Sequence, residues 1–217
     1  MEVKDASCMT SLSWDRYVRL KAAAEAISEL LEPGAQILDV GGYDGAIAFF
    51  LPGFEIDLLD PSTTGACFLE EPAGDKSYEL VSAVDVLEHI EPSQRQRFLA
   101  ELARVARKHI VLNYPGKHTA EAQSLVLKAT GNPLVREHVD WELPENDWVM
   151  ASLAELSFSG TSRSHASLAV WLGQYIVHNI APSLSQELNR FLVENHADEP
   201  FSTGLYELLV FTTTTTT

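Results

Sequence analysis

The chain has 217 residues, which suits one large domain, and its 46% hydrophobic and 21% charged composition excludes wholesale disorder. Its 31 acidic and 15 basic side chains give a formal net charge of −16. A surface of this sign disfavours nucleic acid and anionic lipid as partners, so a neutral or cationic partner is favoured.

The chain carries only two cysteines, Cys8 and Cys67, and they lie far apart. This spacing excludes a disulfide framework and favours a reducing compartment, so we expect a cytoplasmic protein. Residues 1–7 lack the pattern of a signal peptide, and the sequence has no uninterrupted apolar stretch of about 18 residues. We therefore expect neither secretion nor a membrane span.

Apolar residues recur at helical spacing from Ser13 until Pro33-Gly34, which predicts a first helix over 13–32. Short apolar runs then alternate with helical patterns. Strands are predicted at 37–40, 56–61, 66–69, 78–84 and 110–114, with helices at 46–50 and 92–108. This alternation predicts an α/β fold with a mostly parallel, doubly wound sheet, which binds ligands beyond the carboxyl ends of its strands.

The second half of the sequence is more helical. Helices are predicted at 118–130, 144–156, 167–180 and 183–195, before a last strand at 205–211. We expect a single domain over 1–211, made of the first helix, a core at 33–115 and a helical elaboration with the last strand at 116–211. Residues 212–217 are all threonine and are predicted to form a low-complexity tail.

A glycine-rich turn with two carboxylates follows the first predicted strand, in residues 39–45 (DVGGYDG). Asp60 closes the next strand about 20 residues later, where an acid that holds ribose hydroxyls is expected. The pattern therefore predicts a nucleoside-containing ligand. A dinucleotide would need glycines where Tyr43 and Ala46 stand, and the two carboxylates in the turn would repel its pyrophosphate.

The same acids also have purely structural interpretations. Asp60 could cap the element that begins at Pro61. Asp44 could be a turn residue or a helix N-cap. These alternatives stay open on the sequence alone.

Three ordered segments together resemble the class I S-adenosylmethionine-dependent methyltransferases, particularly the small-molecule group whose first strand ends in D-x-G-x-G-x-G. The segments are 37–45 (ILDVGGYDG), 58–61 (LLDP) and 78–90 (YELVSAVDVLEHI). The resemblance covers residues 33–115 and implies a Rossmann-like, seven-stranded sheet. Residues 205–211 would form its late antiparallel strand after a helical insertion. Tyr43 departs from the pattern, because it occupies the position of the middle glycine.

The resemblance implies S-adenosylmethionine as the cofactor. Gly41 and Gly45 would approach its methionine end, and Asp39 would lie near its ammonium group. Asp60 would hold the ribose, and the adenine would lie near residues 67–69 and Val86. The implied cofactor-binding residues are Asp39, Gly41, Gly42, Gly45, Asp60 and Val86.

Methyl transfer from a sulfonium group is an in-line displacement that works largely by alignment and exclusion of water. A base helps if the acceptor is a hydroxyl, and His89 is the leading candidate, ahead of Glu88, His118 and His138. His89 could instead only order the turn that follows it. The expected acceptor is a small molecule or a glycan- or lipid-linked metabolite. Residues 136–145 are predicted as a loop that faces it, or equally as a lid or an interdomain surface.

The seven histidines have no metal-ligand spacing, so no metal site is expected. A non-catalytic binding or regulatory protein with the same fold is the alternative function, with Tyr43 partly filling the cofactor cleft. A nicotinamide-dependent oxidoreductase is disfavoured by the missing glycines. We expect a monomer or a homodimer.

Overall fold

The structure is a computed structural model that describes residues 12–70, 73–198 and 204–214. The strands are β1 (Gln36–Val40), β2 (Glu55–Leu59), β3 (Tyr78–Val84), β4 (Ala106–Pro115), β5 (Phe158–Ser167) and β6 (Gly204–Thr213). The α-helices are α1 (Trp14–Leu30), α2 (Pro92–Val105), α3 (Ala120–Thr130), α4 (Pro133–Asp140), α5 (Asn146–Glu155), α6 (Leu168–Ile180) and α7 (Pro182–His196). Short 3₁₀ helices cover Ala46–Phe49, Leu87–His89 and Lys117–Thr119.

The described strands form one six-stranded sheet in the order β2-β1-β3-β4-β6-β5. β1 pairs in parallel with β2 and β3, and β3 pairs in parallel with β4. β6 runs antiparallel to both β4 and β5. The mostly parallel sheet and the antiparallel last strand are therefore confirmed. The strand order reverses between β1 and β3, and their carboxyl ends are where such a sheet binds ligands.

The strand expected at 66–69 does not form in the described part of the chain, so the prediction of seven strands is wrong there. These residues lie in irregular structure and turns. Phe68 is buried, and its ring packs edge to face on Phe98 of α2 at 5.6 Å between centroids. The segment is thus fixed by one side chain in the core instead of by pairing along β2.

Three predicted boundaries are also wrong. The helix expected at 46–50 is only a four-residue 3₁₀ helix, because Pro52 follows closely and disfavours helical geometry before it. Helix α2 ends at Val105 instead of 108, since β4 already starts at Ala106, which pairs with Tyr78 of β3. The predicted threonine tail begins inside β6, where Thr212 pairs with His109. Residues 215–217 of that tail lie outside the described residues.

Two elements of the second half were not predicted. Strand β5 carries serine, threonine and arginine side chains without a clear apolar alternation, and it pairs only with β6 among the described strands. Helix α4 replaces the first half of the loop expected at 136–145. Asn132 caps α4 by accepting a hydrogen bond from the Leu134 N–H at 2.9 Å, and Pro133 occupies the first helical position. Because β5 intervenes, the helices do not form one block before the last strand.

The sheet is covered on both faces. Helices α2 and α5 pack on one face, and α1 packs on the other. A third apolar cluster contains Trp14 of α1, Val126 of α3, Val135 of α4 and Trp171 of α6. This cluster holds the helices of the second half beside the first helix. No helix in the described ranges is both long and apolar enough to cross a membrane.

The pairing of β5 with β6 can be tested at Gly160. A methyl group at this position would lie 2.4 Å from Phe211 Cδ1 and 2.6 Å from the Val210 carbonyl oxygen. We expect Gly160→Ala to lower the free energy of unfolding by about 1–3 kcal/mol. Gly173→Ala is the matched control, because nothing lies within 4 Å of that position in α6, and alanine should raise helix stability by up to about 1 kcal/mol. Equal urea midpoints for the two variants would contradict this pairing.

Candidate active site

A cavity of about 560 Å³ lies at the carboxyl ends of β1 and β3. The turns after these two strands form its floor. Helix α1 contributes one wall, and helices α3, α4 and α6 contribute the other. The cavity therefore occupies the position at which the strand order reverses, as a ligand site of a doubly wound sheet should.

Asp39 near the end of β1 lines the cavity and is only 1% exposed. Its Oδ1 accepts a hydrogen bond from the Ser82 hydroxyl at 2.9 Å, whereas Oδ2 has no partner among the described residues. Burial raises the pKa of Asp39 to about 7, although Ser82 and the charge of Arg16 favour its ionised form. A buried carboxylate with a free oxygen is suited to a cationic, hydrogen-bonding group.

The glycine turn is shaped by close approaches that exclude larger residues. A Cβ atom on Gly42 would lie 1.9 Å from Asp39 Oδ2, so any side chain there would displace the carboxylate. Gly41 has a φ of 72°, and its Cβ would lie 2.5 Å from Val86 Cγ2. Gly45 closes the turn by donating its N–H to the Gly42 carbonyl at 3.0 Å. Val86 therefore supports the turn from the strand β3 side.

Tyr43 adopts a left-handed backbone conformation that favours glycine. Its φ is 55°, and its N–H donates to Asp60 Oδ2 at 3.1 Å. The side chain is 58% exposed, and its ring lies 5.8 Å from the Arg16 guanidinium carbon. The tyrosine is therefore accommodated in the turn at the cost of a strained backbone.

Asp60 connects the turn after β2 to the glycine turn. Its Oδ1 accepts hydrogen bonds from the Ser62 and Thr63 N–H groups at 2.8 and 3.2 Å. Its Oδ2 accepts from the Tyr43 N–H. These contacts cap the turn after β2. The sequence left this structural role of Asp60 open as the alternative to ribose binding.

Two arginines of α1 line the cavity, and sequence reasoning missed both. Arg16 forms a bidentate ion pair with Asp44. Partial burial of Asp44 opposes its charge, but the hydrogen bond and charge of Arg16 outweigh this effect and lower the pKa of Asp44. Asp44 Oδ1 also accepts from the Ala46 N–H at 3.1 Å, which is the predicted turn role.

Arg19 is the centre of a buried polar network under the cavity. It forms ion pairs with Asp85 at 2.8 Å and Asp15 at 3.1 Å, and it donates to the Tyr206 hydroxyl at 3.1 Å. Burial opposes the positive charge, but these partners outweigh burial and raise the pKa of Arg19. Two acidic side chains of the cavity are thereby neutralised. Arg19 lies in α1 and Asp85 in the turn after β3, so their separation in the sequence does not predict this ion pair.

The histidine candidates are partly brought together. His89 lines the cavity, and its Nε2 lies 3.3 Å from His138 Nε2 of α4. His89 Nδ1 lies 2.6 Å from Glu137 Oε2, and burial lowers the pKa of His138 to about 3. His118 does not join them, because its Nε2 lies 2.7 Å from the Gly204 carbonyl oxygen.

Glu88, the remaining candidate, is fully buried next to His89 in sequence. Neither of its carboxylate oxygens has a hydrogen-bond partner among the described residues. Burial, together with the charge of Asp85, raises the pKa of Glu88 well above its usual value. The carboxyl group therefore caps no turn in the described part of the chain.

The chain matches no protein-family model and no curated protein sequence. It does resemble solved structures. A proposed methyltransferase of an antibiotic biosynthesis pathway from Anabaena variabilis ATCC 29413 superposes with a TM-score of 0.60 at 16% identity, over 90% of this chain and 99% of that one. A proposed sarcosine dimethylglycine methyltransferase from Galdieria sulphuraria gives 0.57 at 18% identity, over 91% and 84%.

A third similar structure is the magnesium protoporphyrin IX methyltransferase of Synechocystis PCC 6803 with bound SAH, with a TM-score of 0.54 at 13% identity. The match covers 99% of this chain and 90% of that one. At these identities the similarity shows the fold, which is that of class I S-adenosylmethionine-dependent methyltransferases. The residues of the cavity must supply the argument for function.

The strain at Tyr43 can be measured by comparing Tyr43→Gly with Tyr43→Ala. Both variants remove the ring, but only alanine keeps a Cβ atom at the positive φ. We expect the glycine variant to unfold with a free energy about 1 kcal/mol higher than the alanine variant, despite the greater freedom of glycine in the unfolded chain. A lower stability of Tyr43→Gly in urea unfolding would show that this backbone is unstrained.

Proposed function

We propose that the protein is an S-adenosylmethionine-dependent methyltransferase that acts on a small-molecule or a glycan- or lipid-linked acceptor. The observation that carries the proposal is the buried Asp39 carboxylate, whose Oδ2 lacks a partner among the described residues beside a turn that only glycine at 42 permits. This carboxylate, with Oδ2 unpaired, fits the ammonium group of the cofactor. It would repel the pyrophosphate of a nicotinamide dinucleotide.

The other ends of the cofactor have partners of suitable chemistry. Arg16 lines the cavity within electrostatic reach of Asp39, and its charge suits the carboxylate of the methionine moiety. Asp60 is still proposed to bind the ribose. Its Oδ2 accepts one hydrogen bond, from the Tyr43 N–H, and the second lone pair of that oxygen can accept another from a ribose hydroxyl. Val86 is proposed to border the adenine. Gly41 and Gly45 are proposed to let the backbone approach the methionine end.

When bound, the cofactor supplies a methyl group on a positively charged sulfur with a neutral leaving group. The protein then has to align the acceptor and exclude water. The walls from α3, α4 and α6 enclose the acceptor side of the cavity. We assign His89 to this side as the residue that acts on the acceptor, because it lines the cavity and Glu137 fixes its ring at 2.6 Å.

The acceptor wall is polar and aromatic. Trp171 and Tyr175 of α6 present rings, while Gln123, Gln174 and Asn179 present amide groups. Such a surface suits a small polar acceptor with a hydrophobic face. The alternative of a non-catalytic protein relies on Tyr43 partly filling the cleft. Tyr43 lines the cavity, and its side chain is 58% exposed.

The cofactor assignment predicts that S-adenosylhomocysteine binds and that NAD does not. Isothermal titration calorimetry should show at least a tenfold loss of S-adenosylhomocysteine affinity in Asp39→Asn, which is about the energy of a charge-assisted hydrogen bond. Asp147→Asn, on the exposed start of α5, is the matched control and should keep the affinity. Unchanged affinity in Asp39→Asn, or no binding by the unmodified protein, would overturn the assignment.

The pKa of Asp39 also predicts a pH dependence. Because this pKa is raised to about 7, the carboxyl group must lose its proton before it can bind an ammonium group. We therefore expect S-adenosylhomocysteine affinity to rise about tenfold between about pH 6 and about pH 8. Calorimetry of Asp39→Asn over the same range should show a flat profile. A profile that falls with rising pH would exclude Asp39 as the cation ligand.

A further inference from the structure

Three potential metal ligands meet at one point of the cavity wall, although they come from two distant segments. Glu88 and His89 lie in the turn after β3, and His138 lies 49 residues beyond His89 in α4. Each residue offers one ligand atom, and these atoms all lie within 4.8 Å of one another. Two imidazoles and one carboxylate are a ligand set used for zinc in enzymes.

The outer nitrogens of both histidines face hydrogen-bond acceptors. His89 Nδ1 lies 2.6 Å from a carboxylate oxygen of Glu137, and His138 Nδ1 lies 3.1 Å from the amide oxygen of Gln123. Each Nδ1 therefore carries the proton, which leaves a lone pair on each Nε2. A carboxylate or amide oxygen behind a histidine is the arrangement that orients metal-binding imidazoles.

The two Nε2 atoms lie 3.3 Å apart. Two nitrogens that each lie about 2.0–2.1 Å from one tetrahedral ion are about 3.3–3.4 Å apart. The observed separation thus equals the separation on a shared ion. Without a cation or an additional proton between them, two lone pairs at this distance would repel each other.

Glu88 supplies the second, independent observation. Its side chain is completely buried, and both oxygens lack a hydrogen-bond partner within the described residues. An unpaired buried carboxylate is costly unless it is neutralised or coordinates a metal. The widest separation in the cluster, up to 4.8 Å, has to close by about 1.4 Å for all three ligands to contact one ion.

We propose that Glu88, His89 and His138 bind one divalent transition metal ion, with Zn²⁺ as the ion that this ligand set favours. His89 and His138 both line the cavity, so the ion is accessible to an acceptor. Three protein ligands and one accessible position are typical of a catalytic zinc site. The ordinary spacing rules for metal motifs do not reveal it, because α4 brings His138 to His89 only in the folded chain.

The chemical consequence rests on the proposed function. An acceptor hydroxyl that coordinates the ion loses its proton to water more readily. Its oxygen then forms the new bond to the methyl carbon, while the carbon–sulfur bond breaks and its electron pair stays on sulfur. The products are the methyl ether, the neutral thioether and one proton in solution. His89 acts on the acceptor through the ion in this scheme.

The experiment uses the full chain after removal of metal with a chelator. Co²⁺ is titrated while the visible absorption of the bound ion is recorded, and Zn²⁺ is then added in competition. We expect one ion per chain and the intense bands of tetrahedral cobalt. His138→Ala should abolish this binding, and Glu137→Gln should weaken it about 10- to 100-fold by removing the carboxylate behind His89.

The matched control for histidine content is His178→Ala, which alters an exposed residue of the same cavity wall and should leave one bound ion. Glu137 is partly exposed, so its variant keeps the test valid if His138→Ala fails to fold. S-adenosylhomocysteine binding is measured on the same samples. If no variant changes metal binding, or no metal binds while S-adenosylhomocysteine does, the metal site is refuted and the proposed methyltransferase stands.

Discussion

The position of the Asp39 carboxylate is the constraint on which the floor of the cavity depends. The parallel pairing of β1 with β3 brings Ser82 opposite Asp39, and the Ser82 hydroxyl holds one carboxylate oxygen. The backbone at Gly42 then passes so close that no side chain fits between the turn and the other oxygen. The strand register, the glycine and the acid therefore form one unit, and none of the three keeps its role without the other two.

The same unit extends to the second strand through Asp60. This acid caps its own turn through two backbone N–H groups and accepts a third from Tyr43. The left-handed backbone at Tyr43 is the geometric requirement for that third bond. A tyrosine in a glycine position is consequently tolerated, because the side chain points to solvent beside Arg16 while the main chain still makes the required contact.

Sequence reasoning predicted those features that local patterns determine. Continuous apolar runs identified the parallel strands β1, β3 and β4, and a glycine turn followed by an acid at the next strand identified the ligand edge of the sheet. It failed where pairing across the chain decides the structure. Strand β5 has a polar sequence that becomes a strand because β6 lies beside it. The segment at 66–69 has apolar residues, yet burial of Phe68 fixes it without strand pairing.

The ion pairs at the cavity could not be predicted from the sequence either, because they also join segments that are far apart along the chain. The net charge of −16 describes the whole chain, whereas Arg16 and Arg19 of α1 compensate acids from turns that are distant in sequence. The cavity wall is therefore less acidic than the composition suggests. This pairing leaves Asp39 as the buried carboxylate of the cavity floor with one oxygen that has no hydrogen-bond partner among the described residues.

The two halves of the chain form different parts of the cavity. The turns after β1 and β3 present backbone and acids at the floor, while α3, α4 and α6 provide the opposite wall. His89 stands at the junction, since it belongs to the first half by sequence but contacts Glu137 and His138 of α4. Any change in how α4 packs would therefore alter the opposite wall through His89 and leave the contacts of Asp39 with Ser82 intact. The shape of that wall is thus encoded mainly in the helical half, where sequence patterns carry the least information about contacts.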